Sequence, residues 1–391
     1  MGTGILTCAF LKEGENLIYL DNAATSCPKP KNVINAVSEA LGKMSANPGR
    51  SGHFASVRNA EAVYNVRKKV AEFFGSENPE NVVFLSNCTE AINIVLKGNL
   101  SKNDHLIISN LEHNAVARPS YKLGEKGVEI SVFDAFNDDI EGELEKHLKN
   151  NTKMVFCTHA SNVCGKVLPI EKIGKFCKKR GILFGVDAAQ SAGLLPVNMK
   201  KYGIDFLCIA PHKGLFAPMG TGILIADSPI RKTIIEGGTG VNSMSLEQGD
   251  EMPEKFESGT VNFPGIMGIS AGIDFIKARG TDKIYNHEIS LCKRVHDCLK
   301  ANPKISVFWS DDEVCAPVIS FLIKGVDSGI VAEKLNERGI AVRAGYHCSP
   351  FAHKTLGTSE TGTVRISPGI AVNNRQIDYF CNVVNSIANG I

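Results

Sequence analysis

No two cysteines of this 391-residue chain have the C-x-x-C spacing of a zinc site, although there are twelve of them. A chain this long needs no disulfide staples, so a reducing compartment, the cytoplasm, is expected. Most of the twelve then fall to core packing. Cys157 in MVFCTH and Cys208 in DFLCIA lie inside apolar runs, where a free thiol behaves as a small hydrophobe. An excess of either charge is also missing. A net charge of +2 gives no bulk electrostatic case for nucleic acid or an anionic membrane. No apolar run reaches the ~18 residues of a membrane span, and the start MGTGILTCAFLKEGE lacks the pattern of a signal peptide. There is no internal repeat, low-complexity tract or charged tail.

What is present is a soluble globular composition, 43% apolar, in a chain too long for one core. Short apolar runs alternate with amphipathic stretches: NVVFLS (81–86), HLIISN (105–110), VEISVF (128–133), MVFCTHA (154–160), ILFGVDAA (182–189), DFLCIA (205–210) and GILIA (222–226) read as strands. Near-continuous apolar strands separated by helices predict a mostly parallel sheet covered on both faces, in an α/β fold. After Gly265 the pattern changes to two helical stretches, then ISVFW, APVISFLIKG, IAVRAG and TVRIS around further helices. This predicts a large domain over 18–265 and a smaller α+β domain from 1–17 and 266–391.

Open parallel sheets bind ligands beyond the carboxyl ends of their strands. Asp187 follows ILFGV, where an acid is a helix cap, a metal ligand or the partner of a cationic ring nitrogen. Gln190, three residues on, has an amide able to meet a phosphate or a phenolate. Lys213 follows DFLCIA, 26 residues after Asp187, between His212 and a glycine. Desolvation there disfavours its ammonium form, and a neutral amine is what Schiff-base chemistry requires. SNCTE (86–90), at a strand-to-helix step, offers ordinary capping chemistry or an anion site. His113 in LEHNAV is a hydrogen-bonded core histidine or a ring that stacks on a planar ligand and moves protons. Asn162 ends another strand. Together these residues match pyridoxal phosphate, which needs a lysine and an acidic partner for its ring nitrogen. GGTGVNS (237–243) lacks the full dinucleotide-binding form.

With YLDNAAT, CTEAIN, EHNA, SNVCG, VDAAQSAG, PHKG, ESGTVNFPG, RAGYHC and VRIS in place, the sequence resembles the class V aminotransferase family of fold-type I pyridoxal phosphate enzymes. Within it, the cysteine desulfurase group that includes selenocysteine lyases is the nearest match, over residues 19–369. The resemblance implies that Lys213 carries the cofactor and shuttles the proton, that Asp187 pairs with the ring nitrogen and that Gln190 meets the phenolic oxygen. It likewise implies that His113 stacks on the ring and that Cys88, Thr89 and His212 hold the phosphate. Thr260, in ESGT, would reach the phosphate of a neighbouring subunit, making a homodimer. Arg365, helped by Asn162, would clamp the substrate carboxylate, with Arg343 and Arg50 as further site arginines. Cys348 would be the persulfide-forming nucleophile, with His347, Arg343 and Arg365 supplying positive charge beside its thiolate.

Two departures stand out. Ala210 occupies the position, three residues before the lysine, where the family has a serine or threonine on the phosphate. Only seventeen residues separate Cys348 from Arg365, which resembles the subgroup with a short cysteine loop. The expected reaction is conversion of L-cysteine to L-alanine, with the sulfur passed from Cys348 to an acceptor protein. The sulfur would serve iron–sulfur clusters, thio-cofactors or selenium metabolism. The rivals are a selenocysteine lyase, a class V transaminase or β-lyase making no persulfide, and a non-catalytic partner holding pyridoxal phosphate or a metal through His347, Cys348 and His353.

Overall fold

Strands that are apolar at every residue must be covered on both faces, and the chain meets this with helices on either side of one sheet. The structure, a computed structural model, describes residues 17–49, 51–310 and 312–390. The elements begin with β1 (Ile18–Tyr19), α1 (Lys31–Lys43), α2 (Phe54–Phe74), β2 (Val82–Leu85), α3 (Cys88–Asn99), β3 (His105–Ser109), α4 (Asn114–Gly124) and β4 (Glu129–Phe133). Next come α5 (Ile140–His147), β5 (Thr152–Thr158), α6 (Ile170–Arg180), β6 (Leu183–Asp187), α7 (Met199–Tyr202), β7 (Phe206–Ile209) and β8 (Gly222–Ala226). The last third adds α8 (Phe263–Arg279), α9 (Thr281–Lys300), β9 (Ile305–Phe308), β10 (Ile319–Ile323) and α10 (Ser328–Asn336). It closes with β11 (Ile340–Ala341), β12 (Arg343–Gly345), α11 (Pro350–Thr355), β13 (Thr363–Ile366) and α12 (Asn374–Asn389).

The large sheet has the order β2-β8-β7-β6-β5-β3-β4 and is parallel except for β8, which runs against both β2 and β7. Alternate residues of each strand enter opposite cores. Val82, Phe84, Ile107, Val155, Phe184 and Leu207 pack with α2, α6 and α8, whereas Val83, Leu106, Ile108, Phe156 and Phe206 pack with α3 and α4. The second unit is an antiparallel sheet, β12-β13-β10-β9, beside the parallel pair β1–β11. Its separate core includes Ile18, Leu20, Leu291, Phe321 and Phe380.

The apolar clusters divide the chain elsewhere than at residue 265. Ile266, Ile269, Ile273 and Ile276 of α8 belong to the large unit, and the second core takes up the chain again in α9. Ile18 and Leu20 lie in the second core because β1 is an edge partner of β11. Helix α8 is apolar around much of its circumference, so its sequence gives no sign of which core it faces. Most of residues 1–17 lie outside the described residues.

Helix α8 approaches the main chain just beyond Lys213. A Cβ on Gly272 would stand 1.9 Å from the carbonyl oxygen of Leu215, so no larger residue fits without separating the two. Alanine improves helix propensity by up to ~1 kcal/mol, but overpacking costs 1–3 kcal/mol or more, so the clash wins. Gly272→Ala is expected to lower unfolding stability by about 2 kcal/mol, measured as a reduced urea midpoint, whereas Gly124→Ala, whose Cβ would meet only Ile130 Cγ1 at 3.7 Å, is expected to cause no loss.

Candidate active site

The carboxyl ends of β2, β3, β5, β6 and β7 open on one side of the large sheet, and the second unit closes over them through the β12–β13 hairpin. Asp187 is the last residue of β6 and is buried. Its Oδ1 accepts the Ala189 N–H at 2.9 Å and faces the Cys88 Sγ at 3.6 Å. Burial pushes the Asp187 carboxyl up, opposed by its contact with the Ala189 amide and by the charge of Lys213. Lys213 follows β7 on a turn in which its N–H donates to Ala210 O and its carbonyl accepts from Phe216 N–H. Gly214 is required beside it, since a Cβ there would lie 2.2 Å from Ala192 O. Lys213 lines a cavity with Asn22, Ser26, Gln190, Glu288 and Ser367. Desolvation lowers its pKa below that of an ordinary lysine, with Asp187 acting in the other direction.

Helix α3 starts directly after β2 and is capped by Asn87, whose side chain accepts the Glu90 N–H at 2.9 Å. Capping therefore falls to Asn87 instead of Thr89 or Glu90, and the Glu90 carboxylate turns back to the Ser86 N–H at 2.8 Å. Thr89 is exposed. The Cys88 thiol is buried against Asp187, so only its main-chain amide remains for an anion at the helix start. His113 caps α4, its Nδ1 accepting from Ala115 N–H at 3.0 Å. That bond places the ring proton on Nε2. Burial, with Lys213, Arg343 and Arg365 nearby, lowers the His113 pKa to about 4. His212 is lowered to about 4 by burial and by Lys213 and Lys29, and its Nδ1 has no partner. Gln190 donates to Ala23 O at 3.1 Å on the rim of the Lys213 cavity.

The second unit supplies two arginines directly opposite each other in the β12–β13 register, Arg343 and Arg365. Arg365 is 1% exposed. Its Nη2 donates to Asp21 Oδ1 at 2.7 Å, its Nη1 to Asn162 O at 3.2 Å, and its Nε has no partner. Arg343 Nη2 lies 3.7 Å from Cys348 Sγ. His347 and Cys348 both adopt left-handed backbone, with φ of 48° and 59°. Such conformations cost of order 1 kcal/mol each for a residue with a side chain and persist only when surroundings impose them. Here the Cys348 carbonyl accepts from Asn114 N–H at 2.6 Å, and the Asn162 amide donates to His347 O at 2.7 Å. The Ser349 hydroxyl in turn donates to Asn162 Oδ1 at 2.6 Å.

Several expectations change in this geometry. Both ends of the Asn162 amide bond the cysteine loop, so in this structure it holds Cys348 in place, with one N–H of its NH2 group left over. His347 is not a cation: it is buried, Nε2 meets Thr363 Oγ1 at 2.9 Å, and burial with Arg365 drives its pKa down to about 2. Thr260 is exposed and lines a recess with Phe84, Glu90 and Gly222, outside the group around Lys213. Arg50 lies outside the described residues. Of the eleven described cysteines, eight are buried and Cys348 is among the three that are not. Among the described residues no three His, Cys, Asp or Glu side chains converge as a metal site, and no helix is long and apolar enough to cross a membrane.

Sequence reading passed over Asp21, Lys29 and Glu112. Glu112 stands beside His113 and is fully buried. It accepts from the Ser109 hydroxyl and from Thr158 N–H at 2.9 Å, while Oε2 has no partner. An acid between a leucine and a histidine, directly after an apolar strand, was the available signal.

The donor set fits pyridoxal phosphate: an enclosed lysine with a depressed pKa, a buried carboxylate on the next strand, a neutral histidine and a helix start on the same edge. The class V aminotransferase family model matches residues 18–380. A probable cysteine desulfurase of Methanothermobacter thermautotrophicus is 34% identical, over 95% of this chain and 94% of that protein. The apo cysteine desulfurase of Thermococcus onnurineus superposes with a TM-score of 0.88 at 32% identity, covering 96% of this chain and 95% of the other. The Escherichia coli cysteine desulfurase CsdA, in its S-sulfonic acid form, gives 0.85 at 26% identity, with 96% and 95% covered.

Burial raises the Glu112 pKa to about 8. An acid with a raised folded pKa binds its proton more tightly in the native state, so its contribution is present below the unfolded value of ~4.5 and is lost as pH rises toward 8. Glu112→Gln keeps the acceptor for Ser109 and Thr158 and cannot ionise. Its melting temperature relative to wild type is expected to climb between pH 5 and pH 8, followed by calorimetry at stepped pH; a pH-independent difference would show that Glu112 is ionised throughout.

Proposed function

This chain belongs to the class V aminotransferase family, and on that footing we propose that it is a pyridoxal phosphate-dependent cysteine desulfurase. The observation carrying this reading is the left-handed cysteine loop, which sets Cys348 beside Arg343 and over the same sheet edge as Lys213 and Asp187. When bound, pyridoxal phosphate supplies an electrophilic aldehyde carbon and a conjugated ring able to hold the electron pair left on a substrate Cα. Lys213 and Asp187 are assigned to that group, with the α3 start, Thr89, His212 and Gln190 around it.

The remaining work falls to the chain's own residues. Arg365, held by Asp21, binds the substrate carboxylate with its unpartnered side, and Arg343 adds charge. Lys213, with its ammonium form disfavoured, takes the Cα proton at Nζ. His113, neutral and protonated at Nε2, covers the ring face as a hydrogen-bond donor without adding charge. The Cys348 sulfur attacks the substrate sulfur. The sulfur–Cβ bond breaks, a sulfur–sulfur bond forms, the proton released from the thiols ends on Cβ, and Lys213 gives its proton back to Cα. L-cysteine and the Cys348 thiol thereby become L-alanine and a Cys348 persulfide, whose outer sulfur passes to an acceptor protein. Support for a homodimer is the exposed Thr260, which serves a phosphate only if a second subunit brings one. A reducing compartment such as the cytoplasm suits a chain that keeps most of its described cysteines in the core.

Incubation with L-cysteine and a reductant is expected to release alanine and sulfide in equal amounts. Cys348→Ala is expected to lose sulfide release by ~10³-fold or more while keeping a yellow colour bleached by borohydride, and Lys213→Ala to lose the colour. Sulfide release at the wild-type rate from Cys348→Ala would overturn the persulfide step. A large preference for L-selenocysteine over L-cysteine would make the chain a lyase of the selenium substrate.

A further inference from the structure

One carbonyl oxygen in this structure carries four donors. His212 O, in the peptide that leads into Lys213, accepts from Ser26 N–H at 3.2 Å, Thr25 Oγ1 at 3.0 Å, Ser26 Oγ at 3.2 Å and Lys29 Nζ at 2.6 Å. A carbonyl has two lone pairs, so this acceptor is over-supplied, and the ammonium contact is the shortest of the four. Lys29 also organises the other donors, its Nζ reaching Ser26 Oγ at 2.8 Å and Thr25 Oγ1 at 3.3 Å. All three residues come from the segment between β1 and α1, remote in sequence from the Lys213 turn.

Lys29 is an unfavourable residue for stability where it stands. It is half-buried, no carboxylate pairs with it among the described residues, and desolvation lowers its pKa to about 8. A cation enclosed among neutral oxygens weakens a fold relative to an apolar side chain of the same length. Its use therefore lies in what it holds. The N–H of that same His212–Lys213 peptide donates to Ala210 O, and on the far side of Lys213 the residue's own carbonyl accepts from Phe216 N–H. With the preceding peptide pinned as well, the direction in which the Lys213 side chain leaves the main chain is set from both sides.

We propose that Lys29 is a positioning residue for Lys213, its ammonium group fixing the His212–Lys213 peptide so that the Lys213 amine meets the Cα proton in line. This rests on the reading of Lys213 as the cofactor lysine. Displacing a reacting group by a fraction of an ångström slows the chemical step without weakening substrate binding, so kcat falls while KM stays. It also changes the asymmetric seat of the coloured group, which visible circular dichroism reads independently of turnover.

The test uses the full chain loaded with pyridoxal phosphate. Lys29→Met is expected to keep or raise the melting temperature, to lower kcat roughly tenfold with KM within about twofold, and to change the visible ellipticity per unit absorbance. Lys29→Arg, which keeps a charged donor, is expected to restore most of both. A Lys29→Met variant with wild-type kcat and ellipticity would overturn the inference alone, as would equal defects in the Met and Arg variants. Should Lys29→Met fail to fold, Lys29→Gln carries the same comparison, since it removes the charge and keeps a donor. A wild-type chain that turns over cysteine without any visible band would overturn the cofactor reading and this inference with it.

Discussion

The Arg365–Asp21 pair, 2.7 Å long and with its guanidinium almost wholly removed from water, is the interaction on which the site depends. A guanidinium at that depth is tolerated only if its charge and its N–H groups are met, and removing one partner of such a pair costs 3–5 kcal/mol. Arg365 comes from β13 of the second unit. Asp21 follows β1, and Asn162, whose carbonyl takes the other Nη, lies in the turn after β5 of the large sheet. The charge is met within the second unit, but only when the two units are docked does Nη1 have its partner, the Asn162 carbonyl. The same docking brings β12 and the cysteine loop over the edge where Lys213 and Asp187 emerge, so one buried guanidinium ties the second unit to the site.

The cysteine loop follows from that docking. His347 and Cys348 hold left-handed backbone that neither prefers, and three contacts from the large unit and from the loop itself retain them there. Asn162 is central because its carbonyl meets Arg365 while its amide meets His347 O and Ser349 Oγ. The strand end that steadies the guanidinium also steadies the loop. A loop tied at this many points does not carry Cys348 far from the sheet, in keeping with the short interval between Cys348 and Arg365. It also explains why His347 contributes packing where charge had been expected. Held beneath the loop against Thr363 and close to two arginines, its imidazole stays neutral.

The strands of the large sheet were legible because each is apolar at nearly every residue and bounded by turn residues, and the residues after them were legible because parallel sheets expose function there. Asp187, Lys213, His113 and the α3 start could all be found this way. What escaped depends on contacts between distant segments. Helix α8 shows no stripe that says which core it faces. Asn162 looked available because nothing local reveals that its amide meets a loop nearly two hundred residues away. Lys29 sits in a run of lysines and prolines that reads as solvated surface, and its importance appears only when the His212 carbonyl is found beside it. Glu112 was overlooked for a related reason: an acid beside a histidine draws attention to the histidine.

The electrostatics of the site then have one sign. Arg343 and Arg365 stand opposite each other across two strands, a like-charged pairing that is unfavourable unless an anion lies between or beside them. Asp21 answers only one of the two. Of the histidines nearby, His113 and His347 are kept neutral by burial and partly by these cations, and His212 by burial with Lys213 and Lys29, so they add hydrogen-bonding groups without deepening the repulsion. Cys348 Sγ is the group within reach of the unanswered Arg343. A carboxylate or a sulfur anion entering here would relieve a repulsion already built into the fold, which is the electrostatic ground for assigning these two arginines to the substrate in the proposed reaction.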